Sequence, residues 1–227
     1  MKHLIKTADS SSLAAVNYNR VILNTTTDNV TIDYSYVDLG LSVKWAKCNI
    51  GAETETDYGD FFMWGSTTSN TASECTWANA PFNNGSDSYN ETYFNRVKDT
   101  VCPNGILAKE YDTATQIMGS EWRMPTQTEW QELLNNTTIE WIADYNSTGV
   151  NGRKFTSKTN GNSIFIPAAG YCNDGSVNNV GGLGTVWSSS LENSTPYYAW
   201  SLNFSSVNCG MGSVYRNLGR SVRGVRA

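Results

Sequence analysis

Glu121-Trp-Arg-Met-Pro-Thr-Gln-Thr-Glu-Trp130 is the stretch from which the rest of the chain can be read. Its second half, Thr126-Gln-Thr-Glu129, fits a capping box. The Thr126 hydroxyl accepts from the Glu129 N–H and the Glu129 carboxylate returns a bond to the Thr126 N–H, so two donors that every helix start leaves open are satisfied. Trp130, Leu133 and Leu134 follow at helical spacing and form one apolar stripe. Upstream, Asp112 is positioned as the N-cap of a shorter helix through Ala114, Ile117 and Met118, with Gly119 as its stop.

Working outward, residues 67–104 are rich in Asn, Gly and Ser and predict a long loop-rich insert. Val37-Asp-Leu-Gly-Leu-Ser-Val-Lys-Trp-Ala46 opens the main domain. Before it, Ala14–Leu23 and Val30–Tyr34 flank a polar turn and read as a hairpin. A lone hairpin is marginal in water, so residues 1–36 are expected to be an appendage for attachment or for homo-oligomerisation, for example as a trimer. Downstream come short apolar pieces: Arg153–Thr156, Ser163–Pro167, Thr185–Ser189, Ala199–Phe204 and Ser221–Arg226. Two helices among short antiparallel strands and much loop predict an α+β domain over residues 37–227.

Residues 187–227 alternate a few large apolar side chains with many Ser, Asn, Tyr and Gly. A period of two puts Trp200, Leu202 and Phe204 on one strand face, the core, and leaves Ser201, Asn203 and Ser205 on the other, free one. Ser206–Tyr215, with two glycines and no sustained period, reads as a loop held by strands at both ends. Tyr, Ser, Gly and Asn are also the residues that antibody loops use for contact.

With 227 residues the chain is long enough to bury a full core. Only 16 % of it is charged, the net charge is -5 and no basic run occurs, which argues against nucleic acid or an anionic lipid surface as partner. Cys48, Cys75, Cys102, Cys172 and Cys209 are scattered and show neither zinc spacing nor a redox pair. They predict free buried thiols, with a single bridge such as Cys75 to Cys102 as the alternative. The first residues lack the apolar run of a secretory signal, and no stretch approaches a membrane span. If Met1 is the native start, synthesis as a soluble protein inside a cell is expected, with no membrane insertion.

Catalytic parts are scarce. His3 is the only histidine, which argues against a Ser-His-Asp triad or a histidine-bound metal. Neither a nucleophile elbow nor a phosphate loop is present. Asp57 with Asp60 and Glu121 with Glu129 are carboxylate pairs, but a turn and a helix cap account for them. No catalytic residue, metal ligand or cofactor is assigned. The oxygen-rich turns Asn83–Asp87 and Asn173–Gly175 leave room for a structural calcium or sodium ion, although turn formation explains both. Trp45, Trp122, Trp130 and Trp187 sit in apolar patterns and read as core, while Trp77 and Trp200 are open. Arg123, Arg216, Arg223 and Arg226 read as framework anchors to acids or carbonyls.

The Glu121–Trp130 stretch resembles the W-R-[LM]-P-T-x-x-E-W signature of proteins with the C-type lectin-like fold of the formylglycine-generating enzyme type. Val37–Ala52, Asp57–Gly65 and Gly219-Arg-Ser-Val-Arg-Gly-Val-Arg226 resemble the variant common in Bacteroides-type gut bacteria and their phages. Together they cover residues 37–227. The enzymes of this type use a cysteine pair near the C-terminus, where this chain has only Cys209. The resemblance is closer to ligand-binding variable proteins diversified by a retroelement that rewrites adenines. It implies a fixed scaffold around twelve variable, ligand-contacting positions: Ser201, Asn203, Ser205, Ser206, Asn208, Gly210, Gly212, Ser213, Tyr215, Asn217, Leu218 and Arg220. The implied function is receptor binding from a phage tail, on the virion, with a host cell-surface protein or glycan as partner. A bacterial cell-surface adhesin or glycan-binding module is the alternative, and an enzyme of the formylglycine-generating class comes third.

Overall fold

The computed structural model describes residues 20–22 and 32–227. β1 (Arg20–Ile22) and β2 (Ile32–Tyr34) pair antiparallel, with Arg20 opposite Tyr34 and Ile22 opposite Ile32. The remainder of the expected hairpin segment, His3 included, lies outside the described residues. The Tyr34 hydroxyl donates to the Ile117 carbonyl at 3.3 Å and its ring meets Trp122 edge-on at 6.2 Å. The end of β2 therefore rests on the body of the protein.

Then follow β3 (Tyr36–Val37), β4 (Lys44–Ala46), α1 (Glu91–Val101), α2 (Thr113–Met118), α3 (Gln127–Asn136) and β5 (Thr137–Ile142). The chain continues through β6 (Gly152–Ser157), β7 (Ser163–Pro167), β8 (Tyr171–Asn173), β9 (Ser176–Asn178), β10 (Gly184–Leu191), β11 (Tyr198–Phe204), β12 (Cys209–Tyr215) and β13 (Val225–Arg226). The architecture is α+β with small antiparallel sheets ordered β13-β4-β3, β5-β6-β7, β8-β9 and β10-β11-β12.

Three elements differ from the expectation. α1 forms inside the insert read as loop: Asn90 caps it by accepting from Tyr93 N–H, and Phe94 and Val101 are buried. Their seven-residue spacing is helical, but the surrounding Asn, Ser and Asp conceal it. β12 replaces the expected loop, because all seven of its residues pair in unbroken register with β11, from Tyr198 opposite Tyr215 to Phe204 opposite Cys209. Its glycines removed the period without preventing the pairing. At the other end, only Val225–Arg226 forms a strand where Ser221–Arg226 was expected, and Ser221 makes a single parallel bridge to Val186.

The β10-β11-β12 sheet lies between two cores. Trp187 and Ala199 enter one, with Phe62, Trp64, Phe94, Trp122 and Val222. Val186, Leu202 and Phe204 enter the other, with Trp45, Trp130, Leu133, Phe155, Ile166 and Val225. Neighbouring residues of a strand point to opposite faces, so Val186 and Trp187 serve different cores. Trp45, Trp122, Trp130 and Trp187 are all buried, and the Trp187 indole donates to the Phe62 carbonyl at 2.7 Å.

Both expected caps form. Asp112 is buried and accepts from the N–H of Thr115 at 2.8 Å and of Met124 at 2.9 Å, which ties the start of α2 to the strand-like run before α3. Glu129 completes the capping box with Thr126 and also accepts from Arg123 Nη1 at 2.7 Å and from Arg123 Nη2. Burial acts to raise the Glu129 pKa, but the Arg123 and Thr126 bonds outweigh it and hold the carboxyl below 4.5. A depressed carboxylate stabilises the fold above its unfolded pKa, and that contribution is lost as pH falls through the folded value. Glu129→Gln is therefore expected to melt lower than wild type at neutral pH, with the gap narrowing in thermal melts taken from about pH 5 to about pH 3. A gap independent of pH would contradict this role.

Candidate functional site

The turn between β11 and β12 is held by its backbone. Arg153, buried on β6, donates from Nε and Nη2 to the Ser205 carbonyl at 3.0 and 2.7 Å, and its Nη2 lies 3.5 Å from the Asn208 carbonyl. Ser205 N–H donates to the Asn208 carbonyl at 2.8 Å, and the Ser205 hydroxyl accepts from Val207 and Asn208 N–H. With the turn fixed through main-chain atoms, the side chains of Ser206, Val207 and Asn208 are left to solvent, Val207 at 79 % exposure. Beyond the turn, a Cβ added at Gly210 would meet nothing within 4 Å. A side chain can therefore start at Gly210 without a clash, whereas at Gly212 a Cβ would lie 3.0 Å from the Asn203 amide.

At the far end of β12, Tyr215 is 46 % exposed. Its ring stacks with Tyr197 at 5.8 Å and meets Tyr198 at 4.8 Å and Trp77 at 6.2 Å. These four rings, all partly exposed, form a platform whose other edge reaches Tyr89 through Trp77 at 5.6 Å. Behind it lies Arg216, fully buried. Its guanidinium sits 4.0 Å from the Phe94 ring centre, 5.6 Å from that of Tyr89, 5.7 Å from that of Trp64 and 5.9 Å from that of Trp77. Nε donates to the Pro196 carbonyl at 2.8 Å. Burial lowers the Arg216 pKa to about 10, so it remains a cation at neutral pH, held by ring faces and carbonyls.

Five of the twelve positions depart from the expected outward face: Ser201, Asn217 and Arg220 are buried, and Ser213 and Tyr215 lie on the sheet face opposite to that of Ser201. Ser201 is fully buried, because the side of β11 opposite Leu202 is covered as well, and its hydroxyl bonds to the Gly212 carbonyl at 3.3 Å and Asn203 Oδ1 at 3.2 Å. Asn217 and Arg220 are also buried, in the segment that runs beside Phe62 and Cys172. Arg220 donates from Nη1 to Asn203 Oδ1 at 2.9 Å and lies over Trp187 at 5.2 Å and Tyr171 at 5.7 Å. Burial pushes its pKa down to about 9. Asn203 is half-buried, and replacing it takes away that acceptor, so these two positions are coupled. Ser213 pairs with Trp200, which strand alternation puts on the opposite face from Ser201 and Gly212. Trp200 itself is only half-buried, unlike Leu202 and Phe204, with which it was grouped. Leu218 is half-buried. The exposed positions are Ser206, Asn208 and Tyr215; Asn203, Ser205, Gly210, Gly212, Ser213 and Leu218 are half-buried, with Gly210 and Gly212 on one face of the sheet and Ser213 and Tyr215 on the other. Trp77, Tyr197 and Tyr198 join Tyr215, although only Trp77, a tryptophan in a polar insert, hinted at them.

The other candidate groups are engaged structurally. Asp57 accepts from Glu53 and Thr54 N–H at 3.1 and 2.7 Å in a turn, and Glu121 pairs with Arg226 at 2.5 Å. In the oxygen-rich turn, the Asn83 side-chain amide donates to the carbonyls of Trp77, Ser86 and Ser88 at 2.8 to 2.9 Å. An amide thus takes the place that a cation would fill. Asp174 and Gly175, with φ 42 and φ 83, make the tight turn between β8 and β9. Among the described residues no group of three or more His, Cys, Asp or Glu is placed to hold a metal ion, and no helix is long and apolar enough to cross a membrane. Burial raises the Cys209 pKa to about 11, so it is a neutral thiol and a poor nucleophile at neutral pH. Two cavities of about 360 and 460 Å³, beside the N-terminus of α3, include none of the twelve positions in their walls. Neither of these two cavities is formed by the candidate positions. No family model, curated protein or solved structure matches the chain.

Proposed function

We propose that this protein is a ligand-binding protein of C-type lectin-like fold that recognises a host cell-surface protein or glycan. Its position would be a phage tail, and its binding surface would be one diversified by a retroelement. The observation that carries the reading is the division of labour along β11 and β12. Arg153 holds the turn by its carbonyls and one core holds Leu202 and Phe204, while the exposed side chains of Ser206, Asn208 and Tyr215 bear little structural duty. Binding energy concentrates in a few desolvated anchors, so changing such residues changes the partner without unfolding the domain. Tyr215, Tyr197, Tyr198 and Trp77 supply the anchors, since aromatic rings give large contact area at low entropic cost. The same four rings would also stack on sugars, which favours a glycan-binding adhesin as the second reading.

The test is a library varied at Ser206, Asn208, Gly210, Gly212 and Tyr215, displayed and selected against Bacteroides-type cell envelopes. Most members are expected to fold, with melting temperatures within about 5 °C of wild type, and selection is expected to enrich different sequences on different envelopes. A library that is mostly unfolded, or folded without any enrichment, would overturn the reading.

A further inference from the structure

Cys75 and Cys172 come from distant parts of the chain and meet in a small buried cluster with Met63 and Ala80. Cys75 follows a short helical turn and Cys172 is the middle residue of β8. Their segments are fastened together by two backbone bonds, Asp174 N–H to the Cys75 carbonyl at 3.3 Å and Gly175 N–H to the Ala72 carbonyl at 2.9 Å. A third segment closes the cluster: Gly219 exchanges both backbone bonds with Cys172, at 2.8 and 2.9 Å. Only glycine fits there, because a Cβ would lie 2.5 Å from Cys75 Sγ and 2.8 Å from Cys172 Cβ. Those two distances from one point confine Cys75 Sγ to within about 5 Å of Cys172 Cβ, so the two side chains are immediate neighbours.

We infer that Cys75 and Cys172 are a disulfide-forming pair, closed when the protein meets an oxidising medium and open as a dithiol otherwise. The pair goes beyond the binding function proposed above and does not depend on it. All five cysteines are free thiols in this structure, and the other three lie elsewhere: Cys102 on the Arg216 side of the core, Cys209 by Arg153 and Cys48 by Glu53. The Cys75 thiol donates to the Thr71 carbonyl at 3.4 Å; its contact with the Cys172 thiol and its burial raise the pKa of Cys75, while the same contact outweighs burial and lowers that of Cys172. Cys172 is thus the first of the two to supply a thiolate.

With a low-molecular-weight disulfide such as oxidised glutathione as oxidant, the Cys172 thiolate attacks one glutathione sulfur and expels the other as a thiolate. Cys75, once deprotonated, attacks the Cys172 sulfur of the mixed disulfide and expels the second glutathione. Two electrons pass to glutathione disulfide, two protons leave the protein thiols, and one S–S bond forms between Cys75 and Cys172. The closed loop spans roughly 100 residues, a length at which a bridge strongly restricts the unfolded chain. The bridge would join the loop that leads to Trp77 to the strand that carries Tyr171, one on each side of the Arg216–Arg220 segment.

The experiment refolds the full chain in oxidised glutathione, quenches with acid, alkylates in denaturant and maps the peptides by mass spectrometry. A linked Cys75–Cys172 peptide is expected, with Cys48, Cys102 and Cys209 alkylated and the link removed by dithiothreitol. The bridged form is expected to melt about 5–15 °C above the dithiol form, a difference that Cys172→Ala should abolish. Alkylation of all five cysteines after oxidation would overturn the proposal, as would a linked peptide joining Cys75 to Cys102.

Discussion

Arg223→Ala is expected to cost about 3–5 kcal/mol, among the largest losses any single substitution can produce in this chain. The Arg223 side chain is fully buried and faces four oxygens and no carboxylate. Nε donates to Asn49 Oδ1 at 3.0 Å, Nη1 to the carbonyls of Ala46, at 2.9 Å, and Lys47, and Nη2 to the Phe165 carbonyl at 3.0 Å. Ala46 ends β4 and Phe165 lies in β7, so one guanidinium joins two sheets that share no strand. Truncation leaves those acceptors buried and unpaired, which costs more than the bonds themselves contribute. Arg223→Lys is expected to recover only a small part, because an ammonium cannot reproduce the planar fork that reaches all four oxygens at once. Burial lowers the Arg223 pKa to about 10, so the effect should persist across the neutral range. Chemical denaturation of the three proteins measures it, and an alanine variant within about 1 kcal/mol of wild type would rule out this anchoring role.

Phe204→Ala is expected to lose about 3–5 kcal/mol, whereas Tyr215→Ala loses less than about 1 kcal/mol. Both are aromatic residues at the ends of one β-ladder, so β propensity does not separate them. Phe204 lies in the core beside Trp130 and Phe155, and its ring lies over Gly184 on the paired strand, where an added Cβ would come within 1.9 Å of the ring. Removing the ring opens a cavity that neighbours cannot fill. Tyr215 is 46 % exposed and its ring meets the half-buried rings of Tyr197, Tyr198 and Trp77, which can rearrange into the space it leaves. The two substitutions should therefore separate in opposite directions: Phe204→Ala in denaturation midpoint, Tyr215→Ala in binding to cells. Equal melting shifts would show that Tyr215 belongs to the frame.

Local signals were legible where one residue type has one physical job. The Thr126 and Glu129 cap, the Asp112 cap with Gly119 as stop, and the alternating Leu202 and Phe204 all lie where their chemistry puts them. Illegible were features that depend on what lies across space. β12 has no period because Gly210 and Gly212 carry no side chains, yet pairing needs only backbone. Ser201 looked free because its strand alternates, but alternation cannot tell that a second core covers the other face. Arg220 and Asn203 looked independently replaceable, and only their 2.9 Å contact shows that they are not. The platform was invisible for a similar reason: Trp77, Tyr197 and Tyr215 come from three separate segments.

The unbroken pairing of β11 with β12 also limits the kinds of change that the surface can absorb. Each residue is assigned to a side by whether its position is odd or even, so one residue added or lost within either strand would move Leu202 or Met211 to the opposite face of the sheet and turn polar neighbours toward the core they had filled. Changes of length are expected to be tolerated only at the Ser205–Asn208 turn, whose side chains from Ser206 to Asn208 are exposed. A variant altered along these strands must therefore keep their length, as a text respelled letter for letter keeps its line breaks.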